Sequence, residues 1–487
     1  MTTLQPVSAA DGPPQGLPKI SSGVAGLDEV LLGGFPEGRT TVLGGGPGAG
    51  KTVFGLEFAY RHALAGQGAV FASFEERAEE IRANARSLGW DLERLEREKK
   101  LALVAAALPQ QTIESGSFDF RGLYLLLENR LRALDARIVV LDAVDGLFRI
   151  VKDPELLRRE FVGLHAWLRD HGLTAVLTVK ASQEALLYPF LEFLADCVVV
   201  LDQRFLGQVR TRRLRVVKYR GSNFLGNEHP FLIAASGVRL LPIASLDLVQ
   251  KPLGERLSTG IGRLDEYLGG GFRRGASVLI GGSSGTGKTT LACTFARAAC
   301  ERGERVLYVS LEESEQNLLD SVRSAGIDLR PVQASGKLRV VTAMPESAGI
   351  EEHLVRLLTA IEAHGADHIV LDAISAVQRM GDERAAFDFL VRLLGVARAR
   401  GITCLYTNQM LPDDAERISG VGMSSLIDTA ISLQLRGDER ELRRRLVIIK
   451  SRGSRHSLRY HLFTIGDDGL HVGEAPAEGA SPGEVGR

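Results

Sequence analysis

The feature that most constrains this chain is a glycine-rich octapeptide written twice. Gly45-Gly46-Pro47-Gly48-Ala49-Gly50-Lys51-Thr52 and Gly282-Ser283-Ser284-Gly285-Thr286-Gly287-Lys288-Thr289 both fit G-x-x-x-x-G-K-[ST], the pattern of a phosphate-cradling P-loop. Glycines let consecutive backbone N–H groups turn inward around phosphate oxygens, and a helix N-terminus adds partial positive charge. The flanks match the motif. Thr41-Val42-Leu43 and Ser277-Val278-Leu279-Ile280 read as entering strands, and Val53 to Ala59 and Leu291 to Ala296 as departing helices. One such octapeptide could be a chance turn; two in the same context make chance negligible.

The expected nucleotide contacts are Gly45, Gly46, Gly48, Ala49, Gly50, Lys51 and Thr52, then Gly282, Gly285, Thr286, Gly287, Lys288, Thr289 and Thr290. Lys51 and Lys288 would reach the β- and γ-phosphates, and the Thr52 and Thr289 hydroxyls would ligate Mg²⁺. ATP and Mg²⁺ are therefore the expected substrate and cofactor.

Lys51 and Lys288 lie 237 residues apart, and this offset carries Gly33-Gly34-Phe35 onto Gly270-Gly271-Phe272. It also carries Leu27-Asp28-Glu29 onto Leu264-Asp265-Glu266, and Phe74-Glu75-Glu76 onto Leu311-Glu312-Glu313. The chain is thus one domain duplicated. The expected organisation is an arm over 1–17, domains over 18–246 and 247–472, and a Pro/Gly/Ala-rich tail over 473–487. Strand and helix patterns alternate within each copy, which predicts an α/β fold with a mainly parallel central sheet. Ligands in such folds sit at the carboxyl ends of the strands.

At 487 residues each copy is long enough to bury its own core. A net charge of −1 gives no global field toward nucleic acid or anionic membrane, and no apolar run reaches spanning length. Nucleic acid and membrane are therefore not expected partners. Cys197, Cys293, Cys300 and Cys404 form no C-x-x-C pair, so reduced thiols and a cytoplasmic location are expected.

Asp142 and Asp372 each end an apolar run, where a carboxylate can order water on Mg²⁺; the bland alternative is a helix cap. Glu75-Glu76 and Glu312-Glu313 follow the next strand of each copy. A carboxylate there can orient or deprotonate a nucleophile, so Glu75 and Glu312 are the expected catalytic acids, with Glu76 and Glu313 supporting. The arginine-rich late segments end in Lys218-Tyr219-Arg220-Gly221-Ser222 and Lys450-Ser451-Arg452-Gly453-Ser454. Their cations are either a solvated strand face, a nucleic-acid arm, or fingers that neutralise charge in a neighbouring subunit's site. The third reading is preferred for Lys218, Arg220, Lys450 and Arg452.

Taken together, the tandem P-loops, the two acid pairs, the two K-x-R-G-S segments and Asn84-Ala85-Arg86-Ser87-Leu88-Gly89-Trp90 resemble the KaiC family of circadian-clock ATPases and autokinases. The resemblance spans roughly residues 18 to 470. It implies RecA-like domains, a hexameric ring with ATP at subunit interfaces, signalling-protein partners, and a nucleotide contact from Ser87. It also implies phosphate transfer to an adjacent hydroxyl pair, which by position is Ser424-Ser425. A RecA/RadA-like DNA-dependent motor and a slow-turnover scaffold are the alternatives; the motor reading would want a basic DNA-facing loop or an added DNA-binding module.

Overall fold

The computed structural model describes residues 16–105, 120–148, 153–181, 189–206, 209–234, 237–240, 251–410, 426–437 and 441–473. The described residues fold as two compact units, one spanning 16–205 and 210–240 and the other 251–473. The sheet of the first unit is built from β1 (Thr40–Gly45), β2 (Ala69–Ser73), β3 (Leu101–Ala105), β4 (Ile138–Asp142), β5 (Thr174–Lys180), β6 (Cys197–Leu206), β7 (Val209–Tyr219), β8 (His229–Ala234) and β9 (Gly237–Leu240). Its spatial order is β9-β8-β7-β6-β1-β5-β4-β2-β3. The run from β6 to β3 is parallel throughout, while β8 and β9 add antiparallel strands at the other edge.

The sheet of the second unit repeats this with β10 (Ser277–Gly282), β11 (Val306–Ser310), β12 (Leu338–Thr342), β13 (His368–Asp372), β14 (Thr403–Gln409), β15 (Thr429–Gly437), β16 (Leu442–Ser451), β17 (His461–Gly466) and β18 (Gly469–Val472). Read in the same direction, the order is β18-β17-β16-β15-β10-β14-β13-β11-β12. The duplication read from the sequence is therefore a duplication of topology, mainly parallel as expected.

Parallel strands covered on both faces need apolar side chains at every position rather than at alternate ones. Every residue of Ile138–Asp142 and of Ala69–Ser73 is buried accordingly. Because successive side chains leave a strand on opposite faces, the strands split between two cores. Phe71, Val140, Val176 and Val199 pack with Phe54 and Phe58 of the helix α1 (Lys51–Leu64). Val70, Val139, Leu141, Ala175 and Leu177 pack on the opposite face with Phe161 and Leu164. Fully burying one such Leu, Val or Phe contributes about 1.5–3 kcal/mol.

The repeated landmarks outside the P-loops have structural causes. Asp28 Oδ1 accepts hydrogen bonds from the Ser22 backbone N–H at 2.7 Å and the Ser22 hydroxyl at 2.5 Å. Asp265 Oδ1 does the same for Thr259, at 2.8 and 2.7 Å. These aspartates tie down the entry loops. Gly34 and Gly271 have φ of 114° and 95°, and a Cβ on either would sit 2.1 Å from a backbone carbonyl oxygen.

Candidate nucleotide sites

In each unit the P-loop leaves the central strand and turns into a helix, α1 after β1 and α2 (Lys288–Glu301) after β10. The residue before each helix is glycine in the left-handed region, Gly50 at φ 104° and Gly287 at φ 97°. A Cβ there would meet Ile233 Cδ1 at 2.8 Å, or Ile465 Cδ1 and Phe463 Cε1 at 2.9 Å. Both conformation and space therefore require glycine. The loop's contact with the antiparallel edge continues through arginine: Arg212 Nε donates to Gly48 O at 3.5 Å and Arg444 Nε to Gly285 O at 3.2 Å. The sequence placed these arginines on a late strand but gave no hint that they touch the P-loop of their own unit.

The Lys51 ammonium donates to Gly45 O and Gly46 O at 2.8 and 3.0 Å, and Lys288 donates to Ser283 O at 2.8 Å. Both lysines are thus folded over their loops. Burial holds both ammonium groups below the ordinary lysine range, against the pull of Asp145 and Asp142 on Lys51 and of Asp372 on Lys288.

Thr52 and Thr289 meet the strand-ending aspartates. Thr52 Oγ1 donates to Asp142 Oδ2 at 3.1 Å, and Thr289 Oγ1 to Asp372 Oδ2 at 2.9 Å. The other carboxylate oxygen is clamped from the neighbouring strand, by Thr178 Oγ1 at 2.7 Å in the first unit and by Thr407 Oγ1 in the second. Burial raises Asp142 to about 6, opposed by its two threonine hydrogen bonds. The threonine clamp escaped the sequence reading; its only signal is a threonine near the end of the strand that pairs with the P-loop strand.

Each cluster offers Mg²⁺ one hydroxyl and one carboxylate, all hard oxygen donors. No group of three or more His, Cys, Asp or Glu able to hold a metal occurs among the described residues. That set fits an ion that keeps water and takes its remaining ligands from substrate phosphates.

The acid pairs stand at the same edge, because Ser73 pairs with Asp142 and Ser310 with Asp372 in register. The serine hydroxyl organises the turn: Glu76 N donates to Ser73 Oγ at 3.0 Å and Glu313 N to Ser310 Oγ at 3.1 Å. Glu75 is more than a third exposed and lies 3.5 Å from Lys180 Nζ. Glu76 accepts from Asn84 Nδ2 at 3.1 Å. Glu312 is also exposed, with Arg379 at 3.8 Å. Burial, with the charges of Asp372 and Glu312, holds Glu313 above the ordinary carboxylate range.

Of the other expected residues, Ser87 lies beside Asn84, which bonds Glu76, and the late-strand cations stand apart from these clusters. Ser87 is exposed, and its hydroxyl donates to Asn84 O at 2.7 Å. Lys450 pairs with Ala430 near the start of β15, and Ala430 pairs with Leu279 early in β10. The P-loop leaves the far end of β10, so Lys450 and Arg452 lie at the sheet edge opposite their own P-loop. Lys218 and Arg220 occupy the matching place. Lys218 Nζ donates to the Glu192 carbonyl, and Arg220 Nη2 donates to Phe193 O at 2.6 Å. Arg452 lies 3.9 Å from Asp428. Ser424 and Ser425, residues 1–15 of the expected arm over 1–17, and residues 474–487 of the expected tail over 473–487 lie outside the described residues. All four cysteines are buried free thiols, and burial pushes Cys197 and Cys404 up to about 12. No helix of the described residues is long and apolar enough to cross a membrane.

Two P-loops, each facing a clamped strand-ending aspartate across a parallel sheet, define a tandem P-loop nucleoside triphosphatase. The family model "ATPase: KaiC" matches residues 20–245 and again 257–477. The chain is 38% identical to the circadian clock protein KaiC2 of Synechocystis sp. over 94% of its own length and 82% of the relative's. It is 34% identical to the circadian clock oscillator protein KaiC of Synechococcus elongatus, covering 94% and 89% of the two chains. With KaiC3 of Synechocystis sp. the identity is 31%, over 94% and 92%. The chain belongs to the KaiC family; it is a nucleotide-binding ATPase built from two RecA-like domains.

Proposed function

We propose that this chain hydrolyses ATP at both P-loops within a homo-oligomeric ring, a hexamer, and that its second unit phosphorylates the chain's own Ser424 or Ser425. The observation that carries this reading is the repeated geometry in which threonine, strand-ending aspartate and glutamate pair converge on one sheet edge. Lys51 and Lys288 bind the β- and γ-phosphates. Thr52 with Asp142, and Thr289 with Asp372, hold Mg²⁺, which when bound neutralises charge on the transferring phosphoryl group. Glu75 orients the attacking water in the first unit, with Glu76 in support. In the second unit Glu312, supported by Glu313, accepts the proton of the attacking serine hydroxyl.

The position of Lys218, Arg220, Lys450 and Arg452 away from their own P-loops supports a role in the next subunit's site. Relatives named as circadian clock proteins support a timing or signalling role; on this reading the chain acts in the cytoplasm, with signalling proteins as its partners. The test is incubation with Mg-ATP, followed by phosphosite mapping and turnover measured with and without single-stranded DNA. Phosphate on Ser424 or Ser425 and DNA-independent turnover are expected. No phosphate would leave an ATPase without kinase activity, and strong stimulation by DNA would overturn the signalling role.

A further inference from the structure

The two sites share a backbone plan but not a charge pattern. Lys180 ends β5 and lies in register with Gly45, the first P-loop residue. Thr178, two residues earlier and therefore on the same strand face, bonds Asp142; Lys180 thus leaves the sheet on the side of the Thr52–Asp142 pair. Its ammonium lies 3.0 Å from the buried Asp145 carboxylate and 3.5 Å from Glu75. The second unit keeps the frame without a cation at this strand position, and its Glu312 is approached instead by Arg379, at 3.8 Å from outside the strand. Thr407 bonds Asp372, and Gln409, two residues on, lies in register with Gly282. Ser375 stands where Asp145 would be, since Gln409 N donates to Ser375 Oγ at 3.4 Å as Lys180 N donates to Asp145 Oδ1 at 3.2 Å. A strand-end pair like Lys180–Asp145, if required merely to hold this fold together, would appear in both units.

We propose that Lys180 is a specificity-determining residue of the first site, a second cation that recognises the γ-phosphate and sets that unit's preference for triphosphate over diphosphate. The proposal rests on the reading of Gly45–Thr52 as a nucleotide cradle. Lys51 serves the β- and γ-phosphates together, so it discriminates weakly between ATP and ADP. Lys180 approaches from the next strand, beyond the carboxylate edge, where the outermost phosphate of a nucleotide lying in the loop arrives. A terminal phosphate carries more negative charge than one carboxylate and competes for the ammonium with Glu75, the more exposed of the two described carboxylates beside it. Loss of that pairing frees Glu75 only when the γ-phosphate is present. In the diphosphate the outermost group ends one phosphate short, and the Lys180–Glu75 pair persists.

The experiment uses the full chain carrying Lys288→Ala, so that binding reports on the first site, with β,γ-imido-ATP and ADP as probes. Lys180→Gln should weaken the triphosphate analogue roughly tenfold, as expected for one hydrogen bond to a charged group, while ADP moves by less than about twofold. Lys180→Arg should restore most of the ratio. Because Lys180→Gln alone leaves Asp145 buried without its cation, the double variant Lys180→Gln/Asp145→Ser, which copies the second unit, keeps the test valid if the single variant misfolds. Conversely, Gln409→Lys in a Lys51→Ala chain should raise the triphosphate preference of the second site. An unchanged ratio, or equal weakening of both nucleotides, overturns the assignment of Lys180. Failure of the Lys288→Ala parent to bind either probe would bring down the cradle reading itself.

Discussion

The Tyr308 hydroxyl donates a hydrogen bond to Asp372 Oδ2 at 2.7 Å from the interior of β11. The corresponding residue of β2 is Phe71, which pairs with Val140 as Tyr308 pairs with Val370. Asp372 therefore has three hydroxyl donors, Tyr308, Thr289 and Thr407, where Asp142 has Thr52 and Thr178. Tyr308 is wholly buried, and burial, with the charge of Asp372, pushes its phenol well above the ordinary range. Tyr308→Phe keeps the shape and removes one bond, so it should cost about 1 kcal/mol, read as a lower urea midpoint. An unchanged midpoint would mean that the bond contributes nothing to stability.

Lys51→Ala and Lys288→Ala should each remove roughly half of the bound nucleotide, because each ammonium lies over its own loop and would serve that loop's phosphates. Equilibrium dialysis with labelled ATP measures this directly. Full stoichiometric binding in the double variant would rule out both lysines as phosphate ligands.

Glu75→Gln should lower ATP turnover by about 10²–10⁴-fold while leaving binding intact, the range expected for a group that positions and deprotonates a nucleophile. The measurement is made in a Glu312→Gln chain, which silences the other site. Unchanged turnover there would assign the water to another group.

Acid should destabilise the chain through its histidines. Burial holds His165, His353, His368 and His461 below the ordinary value, which is about 6.5 in an unfolded chain. The unfolded state therefore binds protons first as pH falls, so this stability is complete above about 6.5 and is lost progressively below it. His368 is the sharpest case. It is fully buried, its Nε2–H donates to Glu304 Oε2 at 2.9 Å, and its Nδ1 has no hydrogen-bond partner among the described residues. Burial works to raise Glu304, yet hydrogen bonds from Arg274 and His368 hold it below the carboxylate range. Its contribution therefore persists above about pH 4.3 and is lost only at lower pH. Between pH 7.5 and 5.5 the urea midpoint should lose less in His368→Gln than in the parent, while protonation of Asp142 near 6 works in the opposite direction equally in both chains. Equal slopes would place the acid response elsewhere.

What could be read in the sequence was whatever is local. The P-loops, the strand-ending aspartates and the duplicated acid pairs are contiguous patterns, and strand, loop and helix follow within a few residues of one another. What escaped was brought together by sheet order. Thr178 meets Asp142 only because β5 lies between β4 and β1, and no spacing along the chain encodes that. Lys180 reads as one more lysine at the end of an apolar run, and Tyr308 as an aromatic filler in a buried strand. Arg212 and Arg444 were visible as charge, yet their contacts with Gly48 and Gly285 depend on the antiparallel edge folding beside the P-loop.

The late cations offer the most discriminating assay of assembly. Lys218 and Arg220 are held by the carbonyls of Glu192 and Phe193, and the Phe193 side chain is 76% exposed. Burial and the neighbouring Arg220 both lower the Lys218 ammonium, so this pair of like charges gains from an anion supplied from outside. On the proposed ring arrangement, Lys218→Ala/Arg220→Ala would leave the P-loop of its own subunit whole but deprive the next subunit's site of cations, and Lys51→Ala would do the reverse. Each variant alone should therefore be inactive at the first site, in a Glu312→Gln background. In a head-to-tail ring, an interface is complete when an intact P-loop meets intact cations. Equal random mixing should restore about one quarter of the parental turnover, because about one interface in four combines the two intact halves. Restoration should require re-association after mixing and should vanish if the subunits are kept monomeric. Turnover that stays at the level of the separate variants would mean that the cations act within their own chain or not at all.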